Sequence, residues 1–406
     1  MAVKFRLGVL DTHPIQYHAP LYRKLAEAVE LTVYYAFRQT PEGQAAGGFG
    51  VAFDWDVPLL EGYPYRFLEN RARRPGVGHF RGSDTPEIGR LIEAGDFDGF
   101  LVHGWHSLAY WQAMRACWRT KTPLFVRGDS QLATPRRWWV RASKRLLYSA
   151  FIPRFDAYLC VGKRAGEYYR HYGADPAKMV FCPHAVDNAW FAAKAEEARP
   201  QREVLRRHMG AGKGEVVLLF AGKFIAKKRV GDLVAAAALL QKEDRPVRLC
   251  LVGSGPLEGE LRAQAERLSL PVHFAGFKNQ SELPPYYAAA DLLVLPSDGG
   301  ETWGLVVNEA MACGLPAVVS NACGCAPDLI EEGRNGASHP MGDIPALAAA
   351  IGAMLPRLGS VEVREALQAK MGAYSFERSV EGVIKALEMT AGRKGLESAR
   401  GNAACG

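Results

Sequence analysis

The 406-residue sequence lacks an apolar run long enough to cross a bilayer, because its longest, residues 233–240, is far shorter than the ~20 residues required. No two of its eight cysteines have the two-residue spacing typical of zinc or redox sites, so we interpret them as reduced thiols. Residues 1–10 lack the apolar core of a secretion signal and are predicted to form a buried strand. We therefore expect a cytoplasmic protein, and the length excludes a disulfide-stabilised miniprotein.

Acidic residues are in deficit only in the first half of the chain. Residues 1–200 hold 27 Lys and Arg against 20 Asp and Glu, whereas residues 201–406 hold 23 of each, which accounts for the net charge of +7. This asymmetry predicts an anionic partner for the first half. A phosphorylated acceptor, a membrane surface and a nucleic acid are the three candidates.

Short β-branched or leucine-rich runs alternate with helical patterns throughout the chain. The predicted strands are 5–10, 31–35, 99–102, 124–126, 157–161, 216–221, 248–252, 272–275, 292–295 and 317–319. Such alternation is typical of parallel sheets covered by helices, and a charged, alanine-rich stretch near residue 200 predicts a domain boundary. We predict an α/β protein with two Rossmann-like, doubly wound domains facing across a cleft, spanning 1–200 and 201–372. A helix over 373–390 would cross back, followed by a mobile tail over 391–406.

The strongest motif lies in residues 296–316, where a predicted strand runs through a glycine-rich turn into a helix. The turn would place the amides of Gly304 and Leu305 at a helix N-terminus, which favours anions. Glu301 precedes the helix and Glu309 lies on it. Because carboxylates repel phosphate, we expect them to accept hydrogen bonds from sugar hydroxyls. A capping glutamate beside a solvated one is the alternative.

A second motif follows strand 216–221, where Gly222 and Lys223 precede the run Lys227-Lys228-Arg229. Four cations just past a strand's carboxyl end predict a site that neutralises a diphosphate, although a solvated charge run would look the same.

Two further strand ends border the same predicted cleft. Gly253 sits in a glycine turn that would let backbone approach a ligand, and Phe277 could border a nucleobase.

In this order and spacing, the segments resemble the retaining glycosyltransferases of the large family 4-like group, which have the GT-B fold. The pair Glu301 and Glu309 within Glu-Thr-Trp-Gly-Leu-Val-Val-Asn-Glu-Ala is the hallmark of that family. Family members usually have Gly-Arg where this chain has Gly222-Lys223, and Lys-Gly where it has Lys228-Arg229. Lysine cannot grip phosphate bidentately as arginine does, so Lys228 is the stronger candidate for the diphosphate.

The resemblance implies a role for each of these residues. Glu309 would hold the ribose hydroxyls of a nucleotide. Glu301 and the amides near Gly304 and Leu305 would hold a donor sugar and its diphosphate. Lys223 and Lys228 would stabilise the leaving group in place of a metal ion.

In the first half, polar residues follow two predicted strands. Asp129 or Arg127 is predicted to lie near a reacting sugar, with His103 and His106 as further candidates. Hydrogen-bonded loop structure explains these histidines equally well. We predict no metal site, because no nearby cysteine or acidic residue is evident to complete one with the two histidines.

A segment at 136–148 is basic, aromatic and free of acidic residues. Its cations and tryptophans are expected either to lie on an anionic membrane surface or to form an amphipathic helix with a tryptophan packed inward. The residues concerned are Arg136, Arg137, Trp138, Trp139, Arg141, Lys144 and Arg145.

These observations predict a retaining, metal-independent transferase in cell-surface polysaccharide or glycoconjugate biosynthesis. It would move a sugar from a UDP- or GDP-sugar to a hydroxyl of a glycan, a lipid-linked saccharide or a small molecule. We expect no other cofactor, no nucleic-acid partner and a location in the cytoplasm or at the inner membrane face. A nucleotide-sugar epimerase, a phosphorylase and a non-catalytic nucleotide-sugar binder remain alternatives.

Overall fold

The computed structural model describes residues 4–45, 50–243, 245 and 247–403, with side chains described as far as residue 392. Within this part of the chain there are two lobes, each built on an all-parallel sheet. This confirms the prediction of an α/β protein with two Rossmann-like units.

The amino-terminal sheet has the strand order β3-β2-β1-β4-β5-β6-β7 in the described residues. Its central strands are almost wholly buried, as expected of a parallel sheet with helices on its faces, whereas the edge strands β3 and β7 are partly exposed. They are β1 Arg6–Asp11, β2 Glu30–Tyr35, β3 Tyr65–Phe67, β4 Gly99–Val102, β5 Leu124–Gly128, β6 Ala157–Cys160 and β7 Met179–Phe181.

The carboxy-terminal sheet has the order β10-β9-β8-β11-β12-β13. Both sheets reverse their strand order beside the first strand, which is where doubly wound folds place their ligand. The strands are β8 Val216–Ala221, β9 Val247–Val252, β10 Val272–Gly276, β11 Leu292–Leu295, β12 Ala317–Ser320 and β13 Gly336–His339.

Helices connect the strands in both lobes. Those of the first half are α1 Ala19–Ala28, α2 Pro41–Gln44, α3 Ile88–Ala94, α4 Leu108–Thr120, α5 Trp138–Phe151, α6 Lys163–His171, α7 Asn188–Ala198 and α8 Arg202–His208. Those of the second half are α9 Val230–Lys242, α10 Glu258–Arg267, α11 Leu283–Ala289, α12 Val306–Ala312, α13 Ala326–Leu329, α14 Ile344–Met354, α15 Val361–Ala373 and α16 Phe376–Ala403.

All ten predicted strands are present, with ends that shift by a residue or two. Of the segment 1–10, which was predicted to form a buried strand, residues 1–3 lie outside the described residues. The sequence analysis missed β3, β7 and β13. β3 and β7 have three residues each, and β13 reads Gly-Ala-Ser-His. Runs this short or this poor in β-branched residues carry no recognisable strand pattern.

The chain passes from one lobe to the other ahead of the predicted boundary at residue 200. It leaves the first sheet at Phe181, and α7 then packs against α11 and α12 of the second lobe. The crossover therefore lies near Pro183–Asp187.

Helix α16 returns to the first lobe and packs against α1, β6 and β7. Its Val383, Ala386 and Leu387 are fully buried, and burial of a valine or leucine side chain stabilises a fold by roughly 1.5–3 kcal/mol. The helical backbone continues to Ala403, so the segment expected to be a mobile tail is helical as far as it is described, and residues 404–406 lie outside the described residues.

No single helix of the described chain has the length and apolar composition of a membrane span. Two consecutive helical segments, Ile344–Arg357 and Val361–Gly392, have that length and composition only when they are taken together, and they are bent by 110° relative to each other. The seven described cysteines are buried free thiols, and Cys405 lies outside the described residues.

Candidate active site

A cavity of about 440 Å³ lies between the lobes at the carboxyl ends of β8, β9 and β10. The loop after β1 and a loop of the first lobe supply one wall, and turns of the second lobe supply the other. The lining residues include Gln16, Tyr17, Trp55, Gly222, Lys223, Lys227, Lys228, Gly253, Phe277, Glu301 and Glu309. Eight of the candidate residues therefore share one cavity, namely Gly222, Lys223, Lys227, Lys228, Gly253, Phe277, Glu301 and Glu309.

Lys228 and Glu301 form a buried ion pair in this cavity. The Lys228 Nζ lies 2.6 Å from the Glu301 Oε2, and the two residues are only 8% and 9% exposed. Burial of Glu301 opposes its ionisation, but attraction to Lys228 and Lys227 outweighs burial and lowers the pKa of this carboxyl. Glu301 is therefore held as an anion.

Three lysines surround this single carboxylate. The Nζ of Lys227 lies 3.8 Å from Glu301 Oε2. Burial and repulsion from Lys227 and Lys228 lower the pKa of Lys223. The surplus of positive charge suits a ligand that carries two negative charges. The fourth predicted cation, Arg229, does not line the cavity, since its guanidinium pairs with Asp232 at 2.7 Å.

The glycines of this region are required by close packing. A Cβ on Gly253 would lie 1.9 Å from the carbonyl oxygen of Gly222, so the two turns touch backbone to backbone. Gly304 has a φ of +104°, and a Cβ there would lie 2.7 Å from the Leu295 Cδ2. Leu305 occupies the N-cap position of α12, and the anion-binding role of the Gly304 and Leu305 amides stays a prediction.

Glu309 is fully buried on α12 and accepts two hydrogen bonds from tyrosines. The Tyr17 hydroxyl donates to its Oε1 at 2.7 Å across the cleft, and the Tyr287 hydroxyl donates to its Oε2 at 2.6 Å. Burial raises the pKa of Glu309 to about 7. This carboxylate can therefore accept bonds from two hydroxyls at once, one of which now comes from the opposite lobe.

Aromatic rings form the end of the cavity that holds Phe277. The Phe277 ring centroid lies 4.5 Å from that of Phe53, whose ring packs edge-on against Trp55. The same loop of the first lobe is fixed to the second, because Asp56 accepts a hydrogen bond from the Ser281 amide at 3.1 Å. Sequence reasoning missed Trp55. The only signal was a pair of aromatics flanked by aspartates in a stretch without periodicity.

The first-lobe candidates separate into two groups. Asp129, His103 and His106 line a second cavity, of about 550 Å³. Arg127 does not, because its buried guanidinium donates to the Pro183 carbonyl at 2.9 Å and is thus part of the loop structure. The Thr302 hydroxyl donates to Asp129 Oδ2 at 2.7 Å, which links Asp129 to the loop that carries Glu301.

The expectation that no acidic residue accompanies the histidines was wrong for His103. Asp11, His18 and His103 have potential ligand atoms within 4.8 Å of one another. However, Asp11 Oδ2 contacts His18 Nδ1 at 2.6 Å and accepts from the Tyr22 hydroxyl at 2.8 Å, and that hydroxyl also contacts His103 Nε2 at 2.9 Å. Asp11, His18, Tyr22 and His103 therefore belong to one hydrogen-bond network.

Gln131 is a cleft residue that the sequence analysis did not single out. Its side-chain amide donates to the carbonyls of Gly299, Glu301 and Ala322 at 3.0, 3.1 and 3.2 Å. Arg164 donates to Gln131 Oε1 at 2.6 Å. A buried side chain of one lobe thus fixes the Glu301 loop of the other, and no local sequence signal could reveal a contact across 170 residues.

Helix α5 exposes both of its tryptophans. Trp138 is 79% and Trp139 51% exposed, and Leu146 on the same side is 82% exposed. The side that faces the lobe carries Val140, Lys144, Tyr148 and Phe151 instead. An amphipathic helix with a tryptophan packed inward is therefore not what the structure shows.

Comparison with known families divides the chain in the same way as the two lobes. Residues 215–356 match Glycosyl transferases group 1, and residues 20–190 match Glycosyltransferase Family 4. Together the two matches include most of the cleft's lining residues, although Gln16 and Tyr17 precede the matched range. The chain belongs to the group 1 glycosyltransferases with the GT-B fold.

Curated relatives of this glycosyltransferase chain include two bacterial D-inositol 3-phosphate glycosyltransferases. That of Geodermatophilus obscurus is 34% identical over 247 residues, which cover 57% of this chain and 51% of the relative. That of Kineococcus radiotolerans is 34% identical over 257 residues, which cover 60% and 53%. The chain thus spans about half the length of the curated relatives it matches.

Solved structures of other glycosyltransferases share the fold along nearly the whole chain. HepE of Anabaena in complex with UDP has a TM-score of 0.71 at 18% identity and covers 95% of this chain and 100% of its own. A glycosyltransferase from Rickettsia africae has a TM-score of 0.71 at 14% identity and covers 96% and 99%. At these identities the likeness concerns the GT-B fold alone.

Proposed function

We propose that this protein transfers a sugar, with retention of anomeric configuration, from a nucleoside-diphosphate sugar to a hydroxyl of an acceptor. The observation that carries the proposal is the juxtaposition, in one interlobe cavity, of the Lys228–Glu301 pair with Glu309. The lysines suit a diphosphate and the two carboxylates suit hydroxyl groups on either side of it. Such an arrangement has little use in a protein that binds a simple anion.

The nucleoside would lie at the Glu309 end of the cavity. Its ribose hydroxyls would donate to Glu309, and Phe277 and Trp55 would border the base, close to the Gly253 turn. Solved structures of HepE contain UDP and UDP-glucose, which supports UDP as the first nucleotide to test. A GDP-sugar is the second.

Lys228 and Lys223 would stabilise the departing diphosphate, supported by the Gly222 turn and the amides of Gly304 and Leu305. Fixed cations already aimed at the developing charge perform the task that a divalent ion performs in other transferases, so we propose a metal-independent reaction. In the retaining step the acceptor oxygen bonds to the anomeric carbon on the face from which the diphosphate leaves. The bond from that carbon to the diphosphate oxygen breaks, and this oxygen takes the acceptor's proton.

The acceptor would approach from the first lobe, at the cavity that His103, His106 and Asp129 line. We assign Asp129 to the edge of the sugar site, where it holds the Glu301 loop through Thr302. Glu301 itself would accept bonds from sugar hydroxyls while Lys228 keeps it ionised. A glycan or lipid-linked saccharide of cell-surface polysaccharide biosynthesis, or a small phosphorylated polyol, suits such an open acceptor side.

Calorimetric titration tests the donor assignment. We expect UDP or GDP to bind the protein, and Glu309→Ala to weaken binding at least tenfold. The control Glu266→Ala, at an exposed position of α10, should bind as the wild type does. Failure of every nucleoside diphosphate and nucleotide sugar to bind would overturn the proposal.

Product analysis tests the reaction. With UDP-glucose and an inositol phosphate or glycan acceptor, nuclear magnetic resonance should show a new glycoside with the donor's anomeric configuration. An inverted product would overturn retention. Conversion of the donor to an epimer without acceptor, or nucleotide binding without turnover, would favour the epimerase or the non-catalytic binder.

We also propose that helix α5 rests on the inner face of an anionic membrane. Trp138, Trp139 and Leu146 project outward, with Arg137 beside them to meet lipid phosphates. Sedimentation with phosphatidylglycerol vesicles should fall strongly in Trp139→Ser/Leu146→Ser. Equal sedimentation of this variant and the wild type would contradict the assignment.

A further inference from the structure

A third cavity, of about 460 Å³, lies beside the cleft between α5, the end of α6 and the Glu301 loop. Gly300 and Thr302 of the second lobe form one wall, so the cavity begins at the two neighbours of Glu301. Ser130, Arg136 and Lys144 line both this cavity and the one that Asp129 lines. A molecule bound here would therefore extend directly into the proposed sugar site.

Four cationic side chains converge on this cavity. They are Arg136, Arg141, Lys144 and Arg145. Among the described residues, none of these four side chains forms an ion pair with a carboxylate. Two buried cations elsewhere in the molecule have a carboxylate partner, since Lys228 pairs with Glu301 and Arg206 pairs with Asp291 at 2.8 Å. The four cations without a carboxylate partner all line one cavity and are not spread over the surface of the protein.

Lys144 is close enough to Arg136 to be affected by its charge. Burial, and then the charge of Arg136, lower the pKa of the Lys144 ammonium group. Its Nζ lies 5.2 Å from the centroid of the Tyr148 ring. Like charges held together without a counter-ion create a potential that an anionic group would relieve.

We propose that this cavity binds a phosphate group carried by the acceptor and so aligns the acceptor hydroxyl with the donor sugar. Arginine forks grip phosphate oxygens bidentately and Lys144 adds a point charge, a donor set that favours phosphate over a neutral glycan end. The inference rests on the proposed glycosyl transfer and specifies its acceptor class. The phosphate belongs either to a soluble sugar or polyol phosphate or to a lipid headgroup.

The test uses inorganic phosphate as the probe, with the donor cavity saturated by UDP so that phosphate cannot bind there. Phosphate should bind the wild type, and Arg141→Gln/Lys144→Gln should weaken this binding at least tenfold. Arg115→Gln removes a cation from an exposed position of α4 in the same lobe and should change binding less than twofold. Lys144→Arg should retain it.

Vesicles distinguish the two sources of phosphate. If the acceptor is a lipid, phosphatidylglycerol vesicles should compete with inorganic phosphate for the UDP-saturated protein, and Arg141→Gln/Lys144→Gln should remove this competition. If the acceptor is soluble, inositol phosphate should compete with inorganic phosphate and vesicles should not. Either result supports the phosphate subsite.

Equal phosphate binding by the wild type and Arg141→Gln/Lys144→Gln, with UDP binding intact in both, would overturn the subsite and leave the proposed transferase untouched. Loss of UDP binding in the wild type would overturn the transferase itself. Phosphate binding and UDP binding are measured separately on the same samples, so a failure of the subsite can be distinguished from a failure of the transferase.

Discussion

The two sides of the cleft differ in how their charges are compensated. On the second-lobe side, Lys228 and Lys227 face Glu301, and Glu309 accepts bonds from two tyrosines, so the groups are fixed before any ligand arrives. On the first-lobe side, Arg141, Lys144 and their neighbours have no carboxylate partner among the described residues. One side is preorganised by internal pairing, and the other is shaped to receive its counter-charge from outside.

The largest effect on activity and stability should come from removing the Lys228 charge that pairs with Glu301. Lys228→Met leaves the Glu301 charge buried, which destabilises proteins by about 3–5 kcal/mol, and removes a cation from the leaving group. We expect kcat to fall about 100-fold or more, by analogy with loss of one preorganised donor. Steady-state kinetics and thermal unfolding measure both effects.

Lys227→Met is the matched control, because its ammonium group is farther from Glu301 and its side chain is 42% exposed. Exposed pairs contribute about 1 kcal/mol or less, so a change of about fivefold is the upper limit. Equal losses in the two variants would show that the charge, and not the buried pair, matters.

The contribution of Glu309 to the stability of the second-lobe side should depend on pH. Its pKa is raised from 4.5 to about 7 in the folded protein, so the native state holds the proton more tightly than the unfolded chain. The Glu309 contribution to stability is therefore present below pH 4.5 and lost as the pH rises through 7, by about 3 kcal/mol at 1.36 kcal/mol per pKa unit. Glu309→Gln cannot ionise.

The melting temperature of Glu309→Gln should therefore rise relative to the wild type between pH 5 and pH 8. Paired melting curves over this range measure the difference. A difference that stays constant with pH would mean that Glu309 is ionised throughout.

A smaller effect should follow from loosening the contact between the two sides. Gln131→Leu leaves three carbonyls of the second lobe without the amide, and an unsatisfied buried group costs about 1–3 kcal/mol. We expect kcat to fall about tenfold with the affinity for UDP nearly unchanged. Gln112→Leu breaks bonds to Asp84 and Thr85 inside the first lobe and should lower stability without this kinetic change.

The smallest effect is expected for Asp129→Asn. An asparagine oxygen still accepts the Thr302 hydroxyl, so a residue that only holds the loop should keep kcat within about threefold. Kinetic measurement of Asp129→Ala provides the stronger loss for reference. A tenfold decrease in Asp129→Asn would show instead that the negative charge acts on the sugar.

The sequence predicted the second-lobe side far better than the first, for a physical reason. Glu301 and Glu309 are positioned by one strand, one turn and one helix that are contiguous in the chain, so their spacing carries the geometry. Tyr17 and Gln131 meet residues about 170 to 290 positions away, and only the docking of the lobes brings them there. Local patterns cannot encode such contacts.

The same distinction explains the errors. Arg229 looked like part of the cation cluster because of its neighbours in sequence, but a turn directs it to Asp232. His103 seemed to lack an acidic companion because Asp11 is far away in the chain and reaches it through the parallel pairing of β1 with β4. Both errors arise because residues that are close in the sequence were assumed to be close in space, and residues far apart in the sequence were assumed to be far apart.

The bond from Tyr17 to Glu309 has a consequence for nucleotide choice. In the role proposed for Glu309, a ribose hydroxyl replaces the Tyr17 hydroxyl as its hydrogen-bond donor. The free energy gained on binding is then only the difference between these two hydrogen bonds. A 2′-deoxyribose has a single free hydroxyl, which can replace the Tyr17 bond but leaves no second hydroxyl to donate to Glu309, so it gains less than a ribose does. The tyrosine of the opposite lobe thereby favours ribonucleotides over deoxyribonucleotides.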